Sequence, residues 1–373
     1  MIQLSAEQVR WYRLRQMGLV TPFGDMETAV STLAGIQAQI LPAAAISLWN
    51  RTKGLTYARF EELLFEERSL VKLWGQRGTL HLYASKEWPL FYGMMSEQMT
   101  WGEKQVVKSG TSLESYRATL AKLAEMLRQQ SMLGRSDLRA SDLNLGEDHF
   151  SSWGGIFRDL VYRGYACHAY RVGSEGKFAH RENWLPNLKW TPPPFDAANI
   201  EITWRHLHAY GPATVQDIAY WRGTAQRNVK KWLKTLGEAV VEVEVDGQAM
   251  LALILDIEKM QETPPPAEAW PIHMLYRFEP ILLGHKDKSW IIDMDFYKRV
   301  WRPAGHIEGI VLDHGRVVAN WRYERKESGL AVTVWPFWEL RDGVQTAVSH
   351  RVQALADFFA LSLEDLQFQS WSS

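Results

Sequence analysis

The chain has 373 residues, a formal net charge of −1, 46% hydrophobic residues and a single cysteine. That length allows two or three domains around a substantial core, and the near-zero net charge hides local asymmetry, so it names no partner. One cysteine, Cys167, excludes an intramolecular disulfide and fits a small buried residue, while no CxxC or HExxH spacing proposes a metal site. No basic-then-apolar leader opens the chain and no apolar run approaches membrane-spanning length. The expectation is a soluble cytoplasmic protein without metal or cofactor, whose 18 tryptophans fit an aromatic-rich core as well as base stacking.

Three stretches repeat one order, helices followed by strands. In the first, helical periodicity covers residues 4–18, 25–34, 43–52 and 57–67, and Gly78-Thr-Leu-His-Leu-Tyr83 alternates as a strand. The second opens with a long helix over 113–130. A short helix over 136–143 follows, then one over 153–163 with Arg158 and Arg163 off its apolar face. Strands over 165–170 and 177–184 flank Gly173-Ser-Glu-Gly176, a wing-like turn, and residues 151–190 hold six Lys/Arg against three Asp/Glu.

The third repeat is the clearest. A helix over 202–210 stops at Gly211-Pro212, and Thr214-Val-Gln-Asp217 reads as a capping box for a helix ending near Gly223. Thr224 then caps a helix through Arg227, Lys230, Lys231 and Lys234, in a segment, 221–236, with five basic residues and no acid. A hairpin with Asp246-Gly247 at its turn closes the repeat. A basic helix after a Thr-x-x-Asp helix is the arrangement of a DNA-docking helix-turn-helix, and equally of a structural helix with a solvated basic face.

After the proline cluster at 264–266, strand signals dominate. Ile281-Leu-Leu and Trp290-Ile-Ile bracket Gly284-His285-Lys286-Asp287-Lys288, which reads as a hairpin with a cationic tip. Residues 310–321 form a second hairpin around His314-Gly315, 332–337 add a strand, and a helix over 346–361 closes the chain. The expected fold is α+β. Tandem winged helix-turn-helix modules occupy 1–105, 106–192 and 195–262, and a β-rich, barrel-like unit occupies 263–373.

A short polar island, Gly35-Ile-Gln37-Ala-Gln39-Ile-Leu-Pro42, separates two of the first helices. Gly35 can end the preceding helix and Pro42 biases Leu41 toward extended backbone. In extended chain, residues two apart share a face, so Gln37 and Gln39 would present two neutral amides together. Such a pair can hold a water, a base edge or a phosphate; it can also be a polar turn.

The island, the segment Trp74-Gly-Gln-Arg77-Gly78-Thr-Leu-His81-Leu, Phe278-Glu-Pro-Ile-Leu-Leu-Gly-His285-Lys286, residues 311–321 and Trp335-Pro-Phe337 occur in the order seen in the AlkZ-type winged-helix DNA glycosylases, which this chain resembles over essentially its whole length. The resemblance implies tandem winged helices around a basic DNA channel, and a monomer that removes alkylated purines from double-stranded damaged DNA, bulky adducts and interstrand crosslinks included. Gln37-Ala38-Gln39 matches the family's Gln-apolar-Gln catalytic signature, with alanine a small occupant of the apolar position.

By the same resemblance, His285, Lys286 and Lys288 would insert beside the lesion or grip the backbone. Arg77, Arg158, Arg163 and the basic helix would line the channel. Arg77 is open to an internal ion pair as well, and His81 fits a satisfied strand histidine. A winged-helix transcription regulator and a non-catalytic damage-binding protein are the competing functions.

Overall fold

The computed structural model describes residues 2–371 apart from 142, 144, 152, 153 and 328. In chain order the elements used below are β1 (Ile2–Leu4), α1 (Ala6–Gln16), α2 (Met26–Thr32), α3 (Leu41–Trp49), β2 (Leu70–Trp74), β3 (Leu80–Ala84), α4 (Leu113–Gln129), α5 (Gly155–Tyr162), β4 (Ala166–Val172) and β5 (Glu175–His180). They continue as α6 (Phe195–Tyr210), α7 (Val215–Arg222), α8 (Gln226–Leu236), β6 (Val240–Val245), β7 (Gln248–Leu253), β8 (His273–Leu275), β9 (Gly309–Asp313), β10 (Arg316–Arg325), β11 (Leu330–Pro336), α9 (Val344–Phe358) and β12 (Leu363–Phe368). The chain divides into two units: Met1–Glu61 with Ile200–Ser373, and Glu62–Asn199.

The first unit holds two sheets. In the smaller, β6 and β7 form the hairpin expected from Asp246-Gly247, whose φ values of 47° and 84° are those of a type I′ turn. Strand β1 then adds to β6 in parallel, Ile2 opposite Val243 and Leu4 opposite Val245. Leu4, Val9, Tyr12, Val243, Met250, Ala252 and Met260 form the core beneath it.

The larger sheet runs β12-β11-β10-β9-β8. The β9–β10 hairpin turns at His314-Gly315, both at positive φ (49° and 68°). Strand β12 lies parallel to β11 with Leu330 opposite Leu363. Strands β8 and β12 are its edges, so the unit is an open sheet and not the expected barrel.

The second unit carries β3-β2-β4-β5. Leu70 faces Ala84 across β2 and β3, and β4 turns into β5 at Gly173-Ser174. Helix α5 seats Phe157 on Phe178 of β5, with ring centroids 4.3 Å apart and nearly parallel.

Several elements differ from expectation, for physical reasons. Ile281-Leu-Leu is not a strand: Pro280 opens a single helical turn, Pro280–Leu283, buried on all sides. Trp290-Ile-Ile lies in turns, and no hairpin brackets 284–289. The helix over 136–143 is confined to Arg135–Arg139, with position 142 outside the described residues. The expected start of α5 at position 153 also lies outside them. Strand β5 ends at His180, whose ring caps a helical turn, Arg181–Trp184. Ala225, not Thr224, is the N-cap of α8; the Thr224 hydroxyl instead accepts the Asn228 amide at 2.9 Å.

Candidate active site and nucleic-acid interface

The island begins where α2 ends. The N–H of Gly35 donates to the Val30 carbonyl at 2.9 Å and that of Ala34 to Ser31 at 3.1 Å, the paired bonds of a Schellman cap. Ala34 takes the left-handed residue (φ 52°) and Gly35 follows at φ 101°. The strand then covers only Ile36–Gln37, residues 39–40 bend, and α3 starts at Leu41 with Pro42 inside its first turn. The extended cap residue is therefore Ile40 (φ −116°, ψ 109°), not Leu41. Breaking the extended run after Gln37 separates the two amides by environment. Gln37 is 7% exposed, beside a fully buried Ala38, whereas Gln39 is exposed.

Helix α3 fixes the far side of the island. Its C-terminal end carries Arg51, which is fully buried and forms a fork on Glu279, Nη2 to Oε2 at 2.8 Å and Nη1 to Oε1 at 3.2 Å. Arg51 also donates to the Ser47 carbonyl at 2.8 Å. A bidentate buried pair of this kind sets the position of the helix more than it adds net stability. This gives the Phe278-Glu279-Pro280 segment a task that the sequence did not disclose: Glu279 anchors the helix that follows the glutamines. The signal available was an acid set in an otherwise apolar run.

In the same unit, α7 and α8 meet at Gly223, left-handed at φ 73°, after the Thr214/Asp217 capping box, which forms as expected. Val229 and Trp232 bury one face of α8. Arg227, Lys230, Lys231 and Lys234, at helical spacings of three and four, are all exposed on the other. The fifth basic residue of the segment, Arg222, is buried at 2% exposure and takes no part in that face.

The segment 284–289 is a correction to the expected cationic tip. His285 and Lys288 are 2% and 4% exposed, and only Lys286 reaches solvent. The Lys288 ammonium donates to the Leu282 carbonyl at 2.8 Å and to that of His285, and lies 4.8 Å from the Tyr220 ring centre. Burial, with Arg13, His206 and Lys288 near by, holds His285 well below the ordinary histidine range and therefore neutral. The backbone N–H of Lys286 donates to Asp217 at 2.8 Å, tying the loop to the start of α7.

The second unit contains the motif Trp74-Gly-Gln-Arg-Gly78. Gly75 leaves room for the Tyr83 hydroxyl, which would overlap any Cβ there and which donates to the Gln76 side chain. Arg77 and Gly78 are both left-handed (φ 55° and 69°), and Arg77 is half-buried. Arg158 packs on this turn, donating to the Gly78 carbonyl at 3.4 Å, and remains half-buried. Arg163 is engaged internally: it pairs with the fully buried Glu103 and donates to the Ser96 carbonyl at 3.1 Å. That removes it from the expected channel face. His81 is 2% exposed and hydrogen-bonded to the Thr79 carbonyl at 3.0 Å, and burial pushes it down to about 3; it is a satisfied strand histidine. Cys167 is fully buried, and burial raises its thiol above the ordinary range.

Among the described residues, no helix is long and apolar enough to cross a membrane. The solved structure of the Streptomyces sahachiroi DNA glycosylase AlkZ superposes with a TM-score of 0.83 over 99% of this chain and all of that one, at 24% identity, which establishes a common fold. A relative described as an interstrand DNA cross-link repair glycosylase, also from Streptomyces sahachiroi, is 27% identical over 319 residues, spanning 82% of this chain and 84% of its own. The family model for AlkZ-like DNA glycosylases matches residues 30–358. The chain thus belongs to the AlkZ-like DNA glycosylase family: it is an enzyme acting on DNA, a hydrolase of N-glycosyl bonds.

Proposed function

We propose that the enzyme is a monofunctional, monomeric glycosylase that excises N3- and N7-alkylated purines from duplex DNA, bulky adducts and interstrand crosslinks included, using Gln37 and Gln39 and no cofactor. What supports this is the island: a Gln-Ala-Gln run pinned by a Schellman cap on one side and by an ion-pair-anchored helix on the other. One amide is buried and one open to solvent. The exposed Gln39 carbonyl accepts a hydrogen bond from the attacking water, and the buried Gln37 holds the local backbone and orients its neighbour.

An amide is too weak a base to take a proton fully at neutral pH. The reaction therefore relies on a leaving group that is already activated, and an alkylated purine, cationic at its ring, supplies one. The enzyme contributes alignment of sugar and water and fixed dipoles around the developing sugar cation. Neutral, undamaged bases fall outside such chemistry. The four exposed cations of α8, with Arg77, Arg158 and Lys286, are assigned to the phosphate backbone in a winged-helix docking mode.

The test is single-turnover release of free base from duplex DNA carrying N7-methylguanine, with unhooking of a crosslinked duplex alongside. Excision by the wild type, lost in both Gln37→Ala and Gln39→Ala while duplex binding persists, supports the assignment. Excision undiminished in both variants overturns it.

A further inference from the structure

A cleft of about 320 Å³ opens in the first unit, bordered by α1, the β6–β7 turn, the loop at 285–290 and the start of β10. It shares no lining residue with the glutamine island. The Nε–H of Arg10 and the indole N–H of Trp290 have no hydrogen-bond partner, although these atoms are buried and their residues line the cleft. Among the described residues, neither Arg10 nor Arg316, which also lines it, has a carboxylate within ion-pair distance.

The acids on the rim accept hydrogen bonds from neighbouring groups. Both oxygens of Asp217 accept bonds, Oδ1 from Lys286 N–H and Oδ2 from Thr214. Asp246 accepts the Ala6 N–H at 3.3 Å. Asp287 closes a turn on Ser289 at 3.0 and 2.8 Å. The cleft is also rigid. Arg13 lies 4.2 Å over the Trp290 ring centre while donating to the carbonyls of Tyr210 at 3.1 Å and Pro212 at 2.6 Å.

Buried donors without acceptors are costly and uncommon in folded proteins. Two of them on one cavity, with Arg316 beside them, call for an acceptor-rich, anionic occupant. Arginine's planar fork suits a tetrahedral oxyanion in particular. We propose that this cleft is a phosphoryl-binding site, held by Arg10, Arg316 and Trp290. Burial and the neighbouring Arg316 lower the proton affinity of Arg10, against the opposing pull of Glu7 and Asp246. The occupant is either a backbone phosphate of DNA or a free phosphorylated compound, and the site stands whether or not the glutamines are catalytic.

The test uses the full chain at constant ionic strength and pH, with inorganic phosphate titrated against chloride and the thermal midpoint and heat of binding recorded. Binding of undamaged duplex is measured in parallel across a salt series. Saturable stabilisation by phosphate, weakened at least tenfold in Arg316→Gln and in Arg10→Gln, supports the site. An accompanying fall of about one in the duplex salt slope marks a backbone phosphate as the occupant, and an unchanged slope marks a free phosphoryl compound. A slope change without phosphate stabilisation also supports the site, as a backbone contact. Trp290→Phe, which keeps the packing and deletes one donor, should reproduce the weaker binding even if an arginine variant folds poorly. Phosphate stabilisation equal in wild type and variants, or neither stabilisation nor a slope change, overturns the proposal.

Discussion

Helix α8 and the loop at 284–289 look alike in the sequence, each a short cluster of cations beside apolar residues, yet the fold treats them in opposite ways. On α8 the cations fall at spacings that collect on one side of a helix whose other side is buried, so all four reach solvent. In the loop the chain has no regular element to sort them, and Lys288 turns inward to donate to carbonyls while the His285 ring is buried beside it. Periodicity, not charge density, decides which cations are available to DNA. The same contrast divides the two glutamines, where one residue of strand and one bend leave Gln37 inside and Gln39 outside.

The largest expected effect falls on the glutamine pair. Gln37→Ala and Gln39→Ala should each slow excision by roughly 10²–10⁴, the range of a missing positioning or proton-handling group. The contrast predicts a further split. Gln37→Ala lowers the thermal midpoint as well, because a buried polar side chain is removed, whereas Gln39→Ala leaves it in place. Equal midpoints in both variants would break the inside–outside distinction.

Acid should act on the inward-facing histidines. Burial, with two arginines near by, holds His273 down to about 3, and burial with Arg77 holds His81 at about 3. Unfolded, both take up a proton near pH 6.5. Their neutral forms therefore stabilise the fold fully above that pH, and the stability is lost as pH falls from about 6.5 toward 3. The limit is about 1.4 kcal/mol per pH unit for each histidine. Denaturant melts at pH 7, 6, 5 and 4 should show the decline beginning above the carboxylate range, and a flat profile down to pH 5 would remove the argument.

Lys288 and α8 give the cleanest pair of variants. Lys288→Met leaves two carbonyls without a donor and should destabilise by about 2–4 kcal/mol while leaving the duplex salt slope unchanged. Replacing Arg227, Lys230, Lys231 and Lys234 together by Ala should do the reverse. The salt slope should drop by about one for each phosphate that is no longer neutralised, and the melting curve should hardly move. A Lys288→Met protein with a reduced slope would place that ammonium on DNA after all.

What could be read from the sequence was local. The capping box at Thr214, the type I′ turn at Asp246-Gly247, the turn at His314-Gly315 and the helix end near Gly35 all follow from short-range rules, and all form. The parallel strands β1 and β12 were not foreseen, since each depends on a partner strand outside its own neighbourhood; Ile2, for example, pairs with Val243. Ile281-Leu-Leu was misjudged because a short apolar run reads the same in a strand and in a buried helical turn. At the island, residue types and the glycine boundary were legible. The differing burial of the two amides was not, because it depends on a bend at 39–40 that no single residue there requires.

The smallest effect expected concerns Lys286, the one cation of its loop that reaches solvent. On a DNA-gripping hairpin it would help hold distorted duplex, and its loss would slow excision of a bulky adduct more than that of a methylated base. In the fold observed, its side chain stands at the surface of a loop fastened by its own backbone N–H to Asp217, and that bond survives mutation. Lys286→Ala should therefore change stability by no more than about 0.5 kcal/mol. It should reduce the salt slope by about one at most, and it should leave the ratio of bulky to methyl excision rates within about twofold of wild type, the scale of an ordinary surface substitution. Both rates measured on matched duplexes decide the matter. A selective loss on the bulky substrate would give Lys286 a part in holding distorted DNA, beyond the phosphate contact it shares with the cations of α8.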